Sequence, residues 1–217
     1  MLCLVTCGPT YEPLDKVRRL TNFSTGKLGI GLANFLHDRG HEVTLLKGYY
    51  AVCQDRCAVP PIPFTTTEDL EERLLKLSHQ GFHAVFHAAA VSDFKFGKVY
   101  ERGADGALEE ITAGKFRTRS GVTYKRLLAE LVPTSKILAR LRAYFLSSYI
   151  VGWKYEVDGD RETALISGRA QLAMNASHLC VVNGPAYGEG FGVVSHNSLE
   201  HCVTAEELYS ALLRCAG

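Results

Sequence analysis

Along the 217-residue chain, short apolar runs alternate with longer stretches in which apolar residues recur every three or four positions. The first run, 2–6 (LCLVT), is broken by Gly8-Pro9-Thr10 and reads as a buried strand. Residues 24–39 then place Leu28, Leu32, Phe35 and Leu36 on one helical face, with Gly40 as the stop. Residues 41–46 (HEVTLL) return to a strand pattern. Strand, helix and strand at this spacing predict a parallel crossover unit.

The alternation continues. Thr65, Thr66 and Thr67 precede an acidic first turn and a leucine-rich helix over 68–80. Residues 83–91 (HAVFHAAAV) read as a buried strand, and the small Ala88, Ala89 and Ala90 admit close approach to its backbone. Helices are predicted over 135–145, 160–176 and 204–216, and strands over 149–157 and 179–183. Between 95 and 125 the pattern changes to polar, β-prone stretches meeting at Asp105-Gly106, with Gly114 and Gly121 beyond, which predicts a flap or hairpin excursion. The whole, 1–217, reads as one α/β domain of Rossmann-like type: an open, mainly parallel sheet with helices on both faces. Ligands in such sheets sit at the carboxyl ends of the strands. That rule selects 8–22, Ser92-Asp93, 153–156 and the residues from Asn183 onward.

Composition narrows the class. The net charge of +1 argues against a general affinity for nucleic acid. No apolar run reaches the ~20 residues of a membrane span, and the first residues lack the basic flank and cleavage site of a signal peptide. The seven cysteines, Cys3, Cys7, Cys53, Cys57, Cys180, Cys202 and Cys215, are odd in number and irregularly spaced, which reads as reduced thiols in the cytoplasm. Cys53 and Cys57 have no second Cys or His pair at metal spacing, so no metal site is expected.

Four segments could carry chemistry. In Thr21-Asn22-Phe23-Ser24-Thr25-Gly26-Lys27, hydroxyls and a glycine stand where a helix begins. Free N–H groups there suit an anion, and an ordinary N-cap by Ser24 or Thr25 is the plainer alternative. The spacing fits neither a Walker loop nor a dinucleotide fingerprint. Ala88-Ala89-Ala90 followed by Ser92-Asp93 could hold a flat ligand with Asp93 accepting its hydrogen bonds, or Asp93 could cap a turn. Gly114-Lys115-Phe116-Arg117-Thr118-Arg119 carries cations on the flap, suited to a polyphosphate or to a solvated hairpin face. Trp153, the only tryptophan, is either a core aromatic or a stacking platform.

The run GPTYEPLDKVRRLTNFSTGKLG resembles the signature of phosphopantothenate–cysteine ligases, and AAAVSDF, VGWKYE, CVVN and GFGVVSHN follow in that family's order over essentially the whole chain. The resemblance implies ligation of 4′-phosphopantothenate to cysteine through an acyl-nucleotidylate, with CTP or ATP as cosubstrate, Mg2+ on the triphosphate, and a homodimer in the cytoplasm without membrane or nucleic-acid partners. It implies a stand-alone form of a domain that many bacteria fuse behind a flavin-dependent decarboxylase. It places catalysis on Asn22 and Lys115, and nucleotide contacts on Ala89, Ala90, Asp93, Ser135, Lys136, Ile137, Leu138 and Trp153. Phosphate or substrate contacts fall on Gly8, Thr10, Ser24, Thr25, Gly26 and Lys27.

The chain departs from the bacterial pattern at Gln171 and Asn175, where those relatives carry lysines, so both positions are expected beside the nucleotide with CTP or ATP accepted. The Lys-x-Glu of WKYE and the phrase NFSTG look more like the ATP-using eukaryotic branch. Two rivals remain: a non-catalytic nucleotide-binding relative, and an NAD(P)-dependent oxidoreductase. The second lacks both its glycine turn and a convincing Tyr-x3-Lys pair.

Overall fold

The computed structural model describes residues 1–112, 114–116 and 126–217. The elements in chain order are β1 (Leu2–Pro9), β2 (Tyr11–Pro13), β3 (Arg19–Thr21), α1 (Lys27–Asp38), β4 (Glu42–Gly48), β5 (Ile62–Phe64), α2 (Thr67–Leu77) and β6 (Ala84–Ala90). They continue as β7 (Phe94–Arg102), β8 (Leu108–Ile111), β9 (Arg126–Pro133), α3 (Ile137–Tyr144), β10 (Tyr149–Tyr155), α4 (Arg161–Asn175), β11 (Leu179–Asn183), β12 (Phe191–Val194), β13 (Leu199–Cys202) and α5 (Ala205–Ala216).

The central sheet has eight strands in the order β5-β4-β1-β6-β10-β11-β12-β13. Pairing is parallel from β5 through β11, and the β12–β13 hairpin adds an antiparallel edge. The chain runs from β1 outward to β4 and β5, then returns to place β6 on the other side of β1. The topological switch point therefore lies between the carboxyl ends of β1 and β6.

Alternation along the strands builds the two layers. Cys3, Val5 and Cys7 of β1, with Phe86, Val151 and Val181, pack under α1 and α5. Leu4, Val85 and Ile150 face α2 and α3, and Cys180 and Val182 face α4. Because both faces are covered, β1 is buried from Cys3 to Pro9 and reads as a continuous apolar run.

The structure differs from the expected pattern in places. Helix α1 begins at Lys27, so Ser24 and Thr25 precede it. The flap expected over 95–125 is a separate antiparallel sheet in the order β8-β7-β9, spanning Phe94 to Pro133. Its far strand, Arg126–Pro133, is exposed along its whole length and carries no clean alternation. The short β2–β3 pair, β5 and the β12–β13 hairpin also went unpredicted; each is only three or four residues long. Among the described residues no helix is long and apolar enough to cross a membrane.

Candidate active site

The switch point is built by a knot of hydrogen bonds. The Ala90 carbonyl at the end of β6 accepts from Thr10 N–H at 3.1 Å and from the Asn22 side-chain amide at 3.2 Å. Thr10 is wholly buried; its Oγ1 accepts from Ser92 N–H at 2.9 Å and its carbonyl accepts from Thr21 Oγ1 at 2.9 Å. Thr10, expected to touch substrate, instead spends its polar atoms inside the protein and ties β1, β3 and β6 together. Gly8, given the same expectation, packs: it adopts φ 79°, and a Cβ there would lie 2.7 Å from the Ala51 Cβ. Asn22, an exposed residue on the loop after β3, is thus held over the crevice by a backbone carbonyl.

Helix α1 begins without a side-chain cap. Gly26, at φ 80°, is the N-cap and supplies no side chain, and Thr25 Oγ1 accepts only from Lys27 N–H at 3.3 Å. Neither Ser24 nor Thr25 is the cap. Helices α2, α4 and α5, by contrast, are capped by Thr66, Asp160 and Thr204. The N-terminus of α3, at Lys136, also lacks a side-chain cap. Of the five α-helices among the described residues, α1 and α3 are the two without a side-chain hydrogen bond at the N-cap.

Beyond the switch point the sheet parts. β6 pairs with β10 only as far as His87 opposite Gly152, yet β6 stays with β1 up to Ala90 and β10 with β11 up to Tyr155. Between Ala88–Ala90 and Trp153–Tyr155 a cleft opens in the middle of the sheet. Over it stand Leu138 and Gln171: a Cβ on Gly152 would lie 2.9 Å from Leu138 Cδ2 and 3.0 Å from Gln171 Nε2. The Gln171 amide donates to the Trp153 carbonyl at 3.2 Å, capping backbone at the cleft.

The structure thus brings together Ala89, Ala90, Asp93, Ser135, Lys136, Ile137, Leu138, the Trp153 backbone and Gln171. Asp93 is ion-paired with Lys136, and Thr134 N–H donates to the Asp93 carbonyl at 3.0 Å. Glu71 anchors the α3 end: burial opposes its ionisation, but hydrogen bonds from Tyr144, Ser135 and Arg140 hold its pKa low. Ile137 is in the core beneath. The Trp153 ring packs on the α1 and α5 side, as a core aromatic would, and its Nε1 is buried without a partner among the described residues. Asn175 ends α4 toward the amino ends of the strands, and its amide donates to the Gln171 carbonyl at 2.6 Å.

Lys115 is exposed on a stretch that docks against the turn after β2. Phe116 N–H donates to Asp15 Oδ2 at 3.1 Å, and Lys16 N–H donates to the Gly114 carbonyl at 3.1 Å. Arg18 is ion-paired with Asp15, whose carboxyl is held far below the usual carboxylate range by that guanidinium and by backbone N–H groups. Arg117, Thr118 and Arg119 lie outside the described residues.

Sequence reasoning missed Asp15, His87 and Lys154. Locally Asp15 reads as a turn residue paired with Arg18, and its contact to Phe116 lies a hundred residues away. Lys154 was noticed only as part of a motif; its Nζ lies 3.1 Å from Glu156 Oε1, and it stands on the Gly152 face of β10 beside the cleft. Among the described residues no group of three or more His, Cys, Asp or Glu is placed to hold a metal ion.

Comparison with known proteins adds a family. The family model described as DNA/pantothenate metabolism flavoprotein, C-terminal domain, matches residues 2–208. The coenzyme A biosynthesis bifunctional protein CoaBC of Thermococcus kodakarensis is 32% identical over 186 residues, which cover 83% of this chain and 40% of that protein. The chain therefore spans about two-fifths of the length of that relative. A crystal structure described as the DNA/pantothenate metabolism flavoprotein from Streptococcus pneumoniae superposes with a TM-score of 0.83 at 26% identity, covering 99% of this chain and 97% of the other. A complex of a Cab2 variant with phosphopantothenate-cysteine has the same fold, with a TM-score of 0.71 at 18% identity over 99% of this chain and 86% of the other.

Proposed function

The chain belongs to the family of DNA/pantothenate metabolism flavoprotein C-terminal domains, and from that premise we propose that it is a phosphopantothenate–cysteine ligase acting in coenzyme A biosynthesis. The observation that carries the reading is the position of Asn22. Its amide is fixed on the Ala90 carbonyl at the switch point, between an uncapped helix N-terminus and a cleft in the sheet.

The proposed reaction has two halves. The carboxylate of 4′-phosphopantothenate attacks the α-phosphorus of CTP or ATP, the α–β bridging bond breaks, and pyrophosphate leaves. The amine of cysteine then attacks the acyl carbon of the mixed anhydride, the nucleoside monophosphate leaves, and the amine gives up a proton. Mg2+ enters with the triphosphate. The first-turn N–H groups of α1, with Ser24, Thr25, Gly26 and Lys27, suit a phosphate group. The cleft walled by Ala89, Ala90 and the Trp153 backbone, with Ser135 to Leu138 and Gln171 above it, suits the nucleotide. Lys115, on the stretch that rests against the turn of Asp15, would neutralise charge on the triphosphate. Asn22 is a neutral amide beside the reacting acyl group: it donates a hydrogen bond and does not compete as a nucleophile.

The proposed homodimer has an apolar surface to use, since Leu127, Leu128, Leu131 and Val132 of β9 are all exposed. A second reading, a non-catalytic nucleotide-binding relative, is favoured by one observation: the amides of Gln171 and Asn175 are engaged within the protein. Pyrophosphate release with each nucleotide, with and without cysteine, tests both. The ligase reading expects release that depends on phosphopantothenate, and amide product only when cysteine is present. Nucleotide binding without release would support the second reading.

A further inference from the structure

His87 is buried at the closed end of the cleft, the last residue of β6 that pairs with β10. Its Nδ1 lies 2.8 Å from Thr6 Oγ1, on the β1 side. That oxygen also accepts from Ala89 N–H at 3.3 Å, so its own proton is the one left to share with the imidazole. We assign Nδ1 as the acceptor of that proton, which puts the proton of a neutral ring on Nε2. The ring is neutral, because burial pushes its pKa down to about 4.

With Nδ1 turned to β1, the far edge of the ring turns to β10. The neighbour on that strand is Gly152, whose face is covered by the ends of Leu138 and Gln171. Nε2 has no hydrogen-bond partner among the described residues. The ring lies where β6 and β10 part, on the sheet face that Leu138 and Gln171 cover. The result is an uncharged N–H donor at the closed end of the cleft, which suits a neutral acceptor on a flat ring better than a phosphate.

We propose that His87 is a nucleotide-positioning residue that donates from Nε2 to a ring nitrogen or carbonyl oxygen of the nucleobase, held in that tautomer by Thr6. The proposal rests on the nucleotide-dependent reading above. Two polar substitutions separate the two ring nitrogens: Asn places an amide near the Nδ1 position, and Gln reaches the Nε2 position.

The test is titration calorimetry on the folded full chain with CTP, ATP and inorganic tripolyphosphate. His87→Asn should weaken binding of the accepted nucleotide by at least about tenfold, the scale of one lost hydrogen bond in a built site. His87→Gln should stay within about threefold of the parent, and tripolyphosphate binding should be unchanged in both variants. The KM for the nucleotide should rise in His87→Asn while that for cysteine stays constant. Equal nucleotide binding by His87→Asn and the parent would overturn the proposal, as would equal losses for nucleotide and tripolyphosphate. A parent that binds neither nucleotide would instead overturn the functional reading, and the proposal with it.

Discussion

The amide nitrogen of Asn22 lies 3.2 Å from the carbonyl oxygen of Ala90, so a loop residue after β3 is pinned to the end of a strand on the far side of the switch point. The bond requires a donor at that position. Asn22→Asp would face the carbonyl with a carboxylate, repelling the strand end and adding a charge beside the acyl group. The variant is expected to release pyrophosphate but to transfer the acyl group to cysteine poorly. Quenched-flow detection of the acyl-nucleotidylate alongside amide product checks this, and undiminished amide formation would remove Asn22 from the mechanism.

Lys115→Gln is expected to lose about 1–3 kcal/mol of transition-state stabilisation in kcat/KM, the scale of a charge-assisted contact. Asp15→Asn should reproduce part of that loss, because Asp15 accepts from Phe116 N–H and so places the segment carrying Lys115. Steady-state kinetics on the two single variants and the double variant test the link: losses that simply add would mean that Asp15 does not act through Lys115.

Two histidines set a pH dependence of stability. Burial lowers the pKa of His87 to about 4, and burial, then Arg142 and His196, lower that of His178. His178 Nδ1 accepts from Ile150 N–H at 2.9 Å, so protonation would break a bond as well as bury a charge. Both folded-state values lie below the ordinary histidine value, so the unfolded chain binds more protons as pH falls. The stability contributed by the neutral rings is present above about pH 6.5 and is lost below it, at up to ~1.4 kcal/mol per pH unit for each group. Urea denaturation at pH 7, 6 and 5 should give falling midpoints; a constant midpoint would mean that neither ring is held neutral.

Two glycines should behave differently when given a methyl group. A Cβ on Gly29 would lie 2.3 Å from Cys7 Cβ and 3.4 Å from Cys7 Cα, atoms that cannot move without shifting β1. Gly29→Ala should therefore cost about 1–3 kcal/mol of stability, the usual range for overpacking. On Gly152 the obstacles are the ends of Leu138 and Gln171, which can swing. Gly152→Ala should melt close to the parent but raise the KM for nucleotide, because those ends would move into the cleft. Thermal unfolding and nucleotide KM, measured on both variants, decide between these patterns.

Nucleotide choice should be relaxed. Gln171 offers an amide, not a charge, and that amide already serves the Trp153 carbonyl. CTP and ATP at matched magnesium are expected to support turnover within a thousandfold of each other, a gap of about 4 kcal/mol. A wider gap would place selectivity elsewhere in the cleft.

Much of this was legible in the residues. Periodicity located β1, α1, β4, β6 and α5 to within a few positions, and the carboxyl-end rule selected the segments that bear Asn22, Asp93 and Trp153. What escaped was set by contacts distant in sequence. Strands β2 and β3 are stabilised by each other and by Arg19, whose guanidinium lies 3.3 Å from the Tyr50 ring centroid, not by alternation of their own. Ser24 and Thr25 carry the composition of a cap, but the left-handed Gly26 takes that place. His87 looked like one more residue of a buried strand, because its role depends on β10 parting from β6 one residue later.

The outer sheet is rooted at one edge of the crevice, and the stretch 114–116 beyond β8 rests on the turn after β2. Strands β7 and β9 leave and return side by side, Phe94 opposite Pro133, with the Thr134 N–H latched to the Asp93 carbonyl at 3.0 Å. No strand of the central sheet interrupts it, and it supplies no strand to that sheet. It is a graft on a finished domain. Residues added or removed at its tip, where Gly103 N–H closes a turn on the Ala107 carbonyl at 2.9 Å, change its reach without disturbing the register of any buried strand. This arm can therefore drift in length across generations while the crevice beneath it keeps its shape.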